Sequence, residues 1–159
     1  MRILITGCNG QVGVKLKEIC IDNSISFIAL SKEQMDITQK SEILQAVQTH
    51  QPSIIINAAA YTNVDLAEDE EDKAFEVNAL GPKNLAEICF DNSLLLIHIS
   101  TDYVFDGKKN SPYEEEDKPE PLNIYGKSKL VGENNIRFAL DRYVIFRTSW
   151  VFSDTGKNF

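Results

Sequence analysis

A single α/β domain built around a parallel, doubly wound sheet is predicted by three observations. Short apolar runs rich in β-branched residues alternate with amphipathic stretches, a glycine trio sits at the first junction between them, and 159 residues hold one domain of ordinary size. Arg2-Ile3-Leu4-Ile5-Thr6 is apolar and stops at a glycine, as a strand buried on both faces does. Over 11–23, Val12, Leu16, Ile19 and Cys20 recur at three- and four-residue spacing, which predicts a helix with one buried face. Residues 26–30 form a second strand, and 38–49, striped by Ile43, Leu44 and Val47, a second helix. Ser53-Ile54-Ile55-Ile56-Asn57 is the third strand. After a loop of small residues, a helix is expected over 67–80, interrupted at Gly81-Pro82 and followed by another to 91. The acids of 68–72 read as a solvated first turn favoured by the helix dipole. Residues 94–100 form the fourth strand. A polar loop marked by Asp106-Gly107, Ser111-Pro112 and Pro119-Glu120-Pro121 then leads to a helix starting near Asn123 or Ile124, and 143–147 is the fifth strand. The alternation implies right-handed crossovers. The chain stops at Phe159 in a segment that closes no further element, and reads as an interrupted protein.

Composition excludes several classes. The net charge is −8, with 16 Lys and Arg scattered among 24 acids, so no basic stripe for nucleic acid is expected. No apolar stretch approaches the ~18–20 residues of a membrane span, and the N-terminus runs directly into a strand without a leader. Cys8, Cys20 and Cys89 form neither an even framework nor a C-x-x-C pair, which points to reduced thiols in a cytoplasmic protein. His50 and His98 lack metal-ligand spacing and read as structural; no metal is expected. Small-molecule chemistry remains.

Thr6-Gly7-Cys8-Asn9-Gly10-Gln11-Val12-Gly13 follows a strand and opens a helix, the setting of a phosphate-cradling loop. A dinucleotide site of this kind usually carries an acid at the end of strand two. Here that strand ends in Leu30-Ser31-Lys32, so Lys32 is free to neutralise a 2′-phosphate and the choice between NADH and NADPH stays open. Asp36 either reaches the adenine edge or leads into the next helix. In Tyr125-Gly126-Lys127-Ser128-Lys129 the Tyr and Lys lie one helical turn apart, where a cation can stabilise a phenolate and bring its pKa toward neutrality. Ser100-Thr101 adds hydroxyls at the carboxyl edge of the sheet, where ligands of such folds bind.

Together with Asn57-Ala58-Ala59-Ala60-Tyr61-Thr62, Val77-Asn78-Ala79, Ser100-Thr101-Asp102-Tyr103-Val104-Phe105-Asp106-Gly107, Gly132-Glu133 and Arg147-Thr148-Ser149-Trp150-Val151-Phe152, these segments make the whole chain resemble the dTDP-4-dehydrorhamnose reductase family of the extended short-chain dehydrogenase/reductases. The resemblance implies a Rossmann-type NAD(P)-binding domain over 1–159, with the C-terminal substrate-binding portion absent. It implies that Gly10, Gln11 and Val12, within the loop bounded by Gly7 and Gly13, meet the pyrophosphate, that Asp36 and Ile37 flank the adenine, and that Ala60, Tyr61 and Thr62 line the nicotinamide side. Tyr125 would be the general acid, Lys129 would bind the nicotinamide ribose and lower the phenol's pKa, and Thr101 would hydrogen-bond the sugar carbonyl. Thr101, Asp102 and Trp150 match sugar-nucleotide contacts, although Trp150 also reads as a core aromatic. The implied reaction is reduction of a dTDP-4-keto-6-deoxyhexose by NADPH or NADH. An epimerase or dehydratase of the same superfamily and a non-catalytic NAD(P)-binding regulatory subunit are the alternatives. Whether natural truncation or expressed fragment, the chain is expected to bind cofactor yet turn over poorly; a homodimer is left open.

Overall fold

The computed structural model describes residues 1–154. In chain order the elements are β1 (Ile3–Thr6), α1 (Gln11–Asp22), β2 (Phe27–Leu30), α2 (Lys40–His50), β3 (Ile54–Asn57), α3 (Val64–Ala67), α4 (Glu71–Phe75), a π-helical turn (Glu76–Leu80), α5 (Gly81–Asp91), β4 (Leu95–Thr101), a 3-10 turn (Asp102–Val104), α6 (Ile124–Ala139) and β5 (Tyr143–Thr148). The five strands are parallel in the order β2-β1-β3-β4-β5. The chain builds outward from β1 to β2, crosses back to β3, and continues to β5. The reversal leaves a crevice beyond the carboxyl ends of β1 and β3.

Alternation along the strands divides the core between two faces. Leu4, Ile55 and Leu96 pack with α2, α5 and α6 residues such as Ile43, Val47, Leu85, Ile88 and Ile136; Ile3, Ile5 and Ile56 pack with Cys20 and Leu16 of α1. The three cysteines are buried and free. No described helix is long and apolar enough to cross a membrane.

Between residues 64 and 91 the structure departs from the expected pattern. Two short helices replace the first expected one, and no break occurs at Gly81-Pro82, because Gly81 has helical φ −54° and the π-helical turn runs straight into α5. A proline removes one N–H and crowds the carbonyl four residues back, and a wider π register just ahead of Pro82 relieves both. The acidic run is more engaged than a solvated turn: Glu68 accepts the Ile124 N–H at 2.8 Å, tying it to the start of α6, and Glu70 accepts from Tyr61 and Lys73.

Candidate functional site

The loop after β1 is shaped by its glycines. Gly7 has φ +63°, and a Cβ there would stand 2.6 Å from the Ala59 amide nitrogen, so only glycine lets this turn lie against the loop after β3. Gly10 donates its N–H back to the Gly7 carbonyl at 3.0 Å. No side chain caps the first turn of α1, which leaves the positive end of that helix at the crevice. Backbone N–H groups and helix dipole together suit an anion.

Two adjoining cavities open there. The smaller, of about 230 Å³, is lined by Gly7, Asn9, Gly10, Lys32, Glu33, Met35, Asp36, Ile37, Ala58, Ala59, Ala60 and Val77. The larger, of about 470 Å³, is lined by Gln11, Val12, Ala58, Ala60, Thr62, Val64, Ile99 to Thr101, Asp102, Tyr103, Tyr125, Lys129, Thr148, Trp150 and Val151. Ala58 and Ala60 belong to both, so the two cavities adjoin across these small side chains along the carboxyl edge of the sheet.

The larger cavity is organised by α6. Asn123 caps that helix by accepting the Gly126 N–H at 2.7 Å. Tyr125, Lys129 and Glu133 are spaced four apart and so form one stripe. Residues two apart on β4 share a face, which turns His98 and Ser100 toward that stripe. Lys129, only 2% exposed, donates to the Ile99 carbonyl at 2.7 Å, with His98 Nε2 at 3.4 Å. Glu133 is fully buried and accepts from Ser100 Oγ at 2.6 Å, from Arg147 at 2.7 and 3.0 Å, and from Arg137 at 3.2 Å.

These surroundings set the charges. Desolvation, opposed by the Glu133 carboxylate, brings Lys129 down to about 8. Burial is also the main influence on Tyr125 and pushes its phenol above the ordinary value; the Thr101 hydroxyl opposes this, while Asp102 and Tyr103 add to it. Tyr103 meets the Tyr125 ring edge-on, with centroids 5.6 Å apart. A half-buried phenol held protonated, an ammonium one turn away and a hydroxyl beside the phenol make an arrangement able to give a proton to an oxyanion developing in the cavity.

A family model described as RmlD substrate binding domain matches residues 1–159. The chain belongs to this family. It is 43% identical to a dTDP-4-dehydrorhamnose reductase of Aggregatibacter actinomycetemcomitans, covering 99% of this chain and 54% of the relative. It is 40% identical to the spore coat polysaccharide biosynthesis protein SpsK of Bacillus subtilis, covering 99% of this chain and 56% of that one. A crystal structure of the Bacillus anthracis dTDP-4-dehydrorhamnose reductase in complex with NADP superposes with a TM-score of 0.96 at 43% identity, covering 99% of this chain and 56% of that one. The chain thus spans about half the length of the relatives it matches. A Thermus thermophilus UDP-glucose 4-epimerase, at 24% identity and a TM-score of 0.84, shares the fold.

In this member of the RmlD family, most of the residues named from the sequence line one or other of the two cavities. Gly7, Gly10, Asp36, Ile37 and Ala60 line the smaller cavity; Gln11, Val12, Ala60, Thr62, Thr101, Asp102, Tyr125, Lys129 and Trp150 line the larger. Gly13 lines neither and packs beneath the loop instead. Tyr61 differs as well: its hydroxyl donates to Glu70 at 2.9 Å, and it is absent from both linings. Asp36 both stands at the smaller cavity and leads into α2, accepting the Thr38 N–H at 2.9 Å with Lys32 at 3.6 Å. Trp150 is 73% exposed, which removes the core-aromatic reading. The expected lowering of the phenol by Lys129 does not prevail: burial dominates and the net shift is upward.

Two contacts were not anticipated. Glu33 joins Lys32 at the smaller cavity, so a carboxylate does stand just past β2, its oxygen accepting from Ser31 at 2.6 Å. Asn78 accepts the Tyr61 N–H at 2.8 Å, donates to the Tyr61 carbonyl and donates to Ser128, pinning the loop after β3 to α6. Among the described residues, no group of three or more His, Cys, Asp or Glu gathers to hold a metal.

The Lys129 environment carries a stability prediction. Its amine titrates near 8 when folded, against an ordinary value of 10.5, so the folded chain releases this proton first. The charge therefore disfavours folding below about pH 8, by roughly 3 kcal/mol, and this cost is relieved as pH rises toward the unfolded value. The difference in unfolding free energy between wild type and Lys129→Met, measured in urea at each pH, is expected to shift in favour of wild type between pH 8 and pH 10.5.

Proposed function

We propose that residues 1–159 form the NAD(P)-binding and proton-donating part of a dTDP-4-dehydrorhamnose reductase, acting on a dTDP-4-keto-6-deoxyhexose. The reading is carried by one observation: Thr101, Tyr125 and Lys129 converge on a cavity that adjoins the glycine-loop cavity. The cofactor fits the residues present. The cradle at Gly7 has no room for a Cβ against Ala59, the α1 N-terminus offers N–H groups to a pyrophosphate, and Lys32 and Glu33 stand where an adenosine ribose or its 2′-phosphate would lie.

Hydride delivery to the C4 ketone is the chemistry that a bound reduced nicotinamide supplies. The chain's own side chains do the rest. The Thr101 hydroxyl hydrogen-bonds the ketone oxygen, and Tyr125 Oη gives its proton as that oxygen gains charge. Its raised pKa keeps the proton in place until then. The phenolate left behind is stabilised by the Lys129 ammonium one turn away and by Thr101, while Asp102 and Trp150 contact the sugar nucleotide. Alignment of ketone and hydride donor within about 3–3.5 Å sets the rate.

The test is to add dTDP-4-dehydro-L-rhamnose to the chain with NADPH and follow nicotinamide absorbance. Oxidation is expected, falling by about 10²–10⁴-fold in Tyr125→Phe with NADPH affinity retained. Equal rates in the variant and wild type would sink the assignment of Tyr125.

A further inference from the structure

Behind Lys129, away from both cavities, lies a buried line of polar side chains that the proposed reaction does not use. It begins at the end of β1, where Thr6 Oγ1 donates to Asn57 Oδ1 at 2.6 Å. Asn57 is fully buried, and its Oδ1 also stands 3.2 Å from the Ala59 N–H. The Ala59 N–H is shared between Asn57 Oδ1 and Thr6 Oγ1, at 3.3 Å; turning the amide round would set two N–H donors against each other 3.2 Å apart, so its oxygen faces Ala59 and Thr6 and its nitrogen faces the other way. On that side stands His98 Nδ1 at 3.0 Å. Nδ1 therefore accepts. His98 is 1% exposed, and burial beside the Lys129 charge holds its imidazole neutral, well below the ordinary range. A neutral ring accepting at Nδ1 carries its one proton on Nε2. Nε2 is the atom 3.4 Å from Lys129 Nζ.

The order of donors along this line has a consequence for the ammonium. His98 Nε2–H cannot accept from it, which leaves the Ile99 carbonyl, at 2.7 Å, as the acceptor on the β4 side. We infer that His98 is a positioning residue for Lys129: locked as the Nε2–H tautomer by Asn57, it denies the ammonium a buried acceptor and leaves its other N–H groups for oxygen atoms of a ligand in the cavity. The charged groups around Lys129 are Glu133 on its own helix, itself neutralised by Arg147 of β5 and by Arg137, and Asp102 of the 3-10 turn across the cavity; Tyr125 and Tyr103 complete the wall. Glu133 favours the charged form of Lys129, and His98 presents a proton to it. Binding of a ligand that accepts from Lys129 is thereby linked to protonation of the amine.

This inference rests on the proposed role of Lys129 toward a dinucleotide, and its test separates the two. In the ligand-free chain at pH 7, ¹⁵N spectra of the imidazole are expected to show an unprotonated Nδ1 and a protonated Nε2; a protonated Nδ1, alone or with Nε2, overturns the inference. The second arm measures NADPH affinity against pH in wild type and His98→Asn, whose Oδ1 can still accept from Asn57 while its shorter side chain withdraws the Nε2–H from beside Lys129. Wild-type affinity is expected to fall above about pH 8, and the fall in His98→Asn to begin about one pH unit higher. A variant weakened equally at every pH, with its midpoint unmoved, marks a merely structural role and overturns the inference. If wild type binds no NADPH at any pH, the dinucleotide reading fails, and the tautomer in the free chain still decides whether His98 faces Lys129 with a proton.

Discussion

Gly13→Ala is expected to weaken NADPH binding by about 100-fold and to destabilise the fold. Gly13 lies in the first turn of α1 and is buried against the turn that precedes it. A Cβ there would overlap the Gly7 carbonyl oxygen and stand 2.7 Å from Cys8 Cα and 3.0 Å from the Cys8 carbonyl carbon. All three are backbone atoms of the loop itself, so no side chain can swing aside to relieve the contact. Either α1 moves outward or the loop unwinds, and both displace the N–H groups aimed at an anion. Overpacking of this kind costs about 1–3 kcal/mol, and loss of the loop geometry is expected to raise the NADPH Kd by about 100-fold, equivalent to nearly 3 kcal/mol. Gly10→Ala is the control for the fold alone, because its Cβ would lie 3.4 Å from the Gly7 oxygen, an ordinary contact, and its unfolding free energy is expected to stay near wild type. Fluorescence titration and urea unfolding check the pair; a Gly13→Ala Kd within about twofold of wild type would contradict the account of this loop.

The second large effect is expected at Glu133. Its carboxylate is fully buried and accepts from two arginines and a serine, and the Arg147 side chain is only 15% exposed. Glu133→Leu leaves that guanidinium uncompensated, a loss of about 3–5 kcal/mol, whereas removing both charges with Glu133→Leu/Arg147→Met is expected to recover most of it. For a chain of this length the single variant should melt roughly 10–15 °C lower. Calorimetry or circular dichroism on the two variants gives the answer: equal losses in both would mean that Arg147 is not held by Glu133. Removing Glu133 also withdraws the carboxylate that favours the charged form of Lys129, so the single variant should bind NADPH more weakly at pH 8 than at pH 6.

The sequence makes the strands legible because Ile3–Thr6, Ile54–Asn57 and Leu95–Thr101 lie deep in the sheet, and burial on both faces selects unbroken apolar runs. Gly7 to Gly13 and the Tyr125–Lys129 spacing are legible because each uses neighbours in the chain, a turn and one helical repeat. The partners that hold the site come from far apart. Glu133 meets Ser100, 33 residues away, and Asn57 meets His98, 41 residues away, so no local pattern joins them. One signal was present: a polar residue at an inward position of an apolar strand, as at His98, demands a buried partner. The continuous passage from the π-helical turn into α5 was hidden for a different reason, since Gly81-Pro82 is ordinarily a breaker and becomes acceptable only through the widened register before it. Tyr61 was misplaced because Asn78 grips its backbone and sends the ring toward Glu70.

The crevice past β1 and β3 is proposed as a dinucleotide site reaching from Asp36 to Tyr125. The most direct test is a titration of NADPH, and separately NADH, into the ¹⁵N-labelled 159-residue chain, followed by amide shifts. The account predicts saturable one-site binding, with shifts concentrated at Gly7, Gly10, Gln11, Val12, Asp36, Ile37, Ala60, Thr101, Tyr125 and Lys129. No binding, or binding whose shifts fall away from these residues, would contradict it.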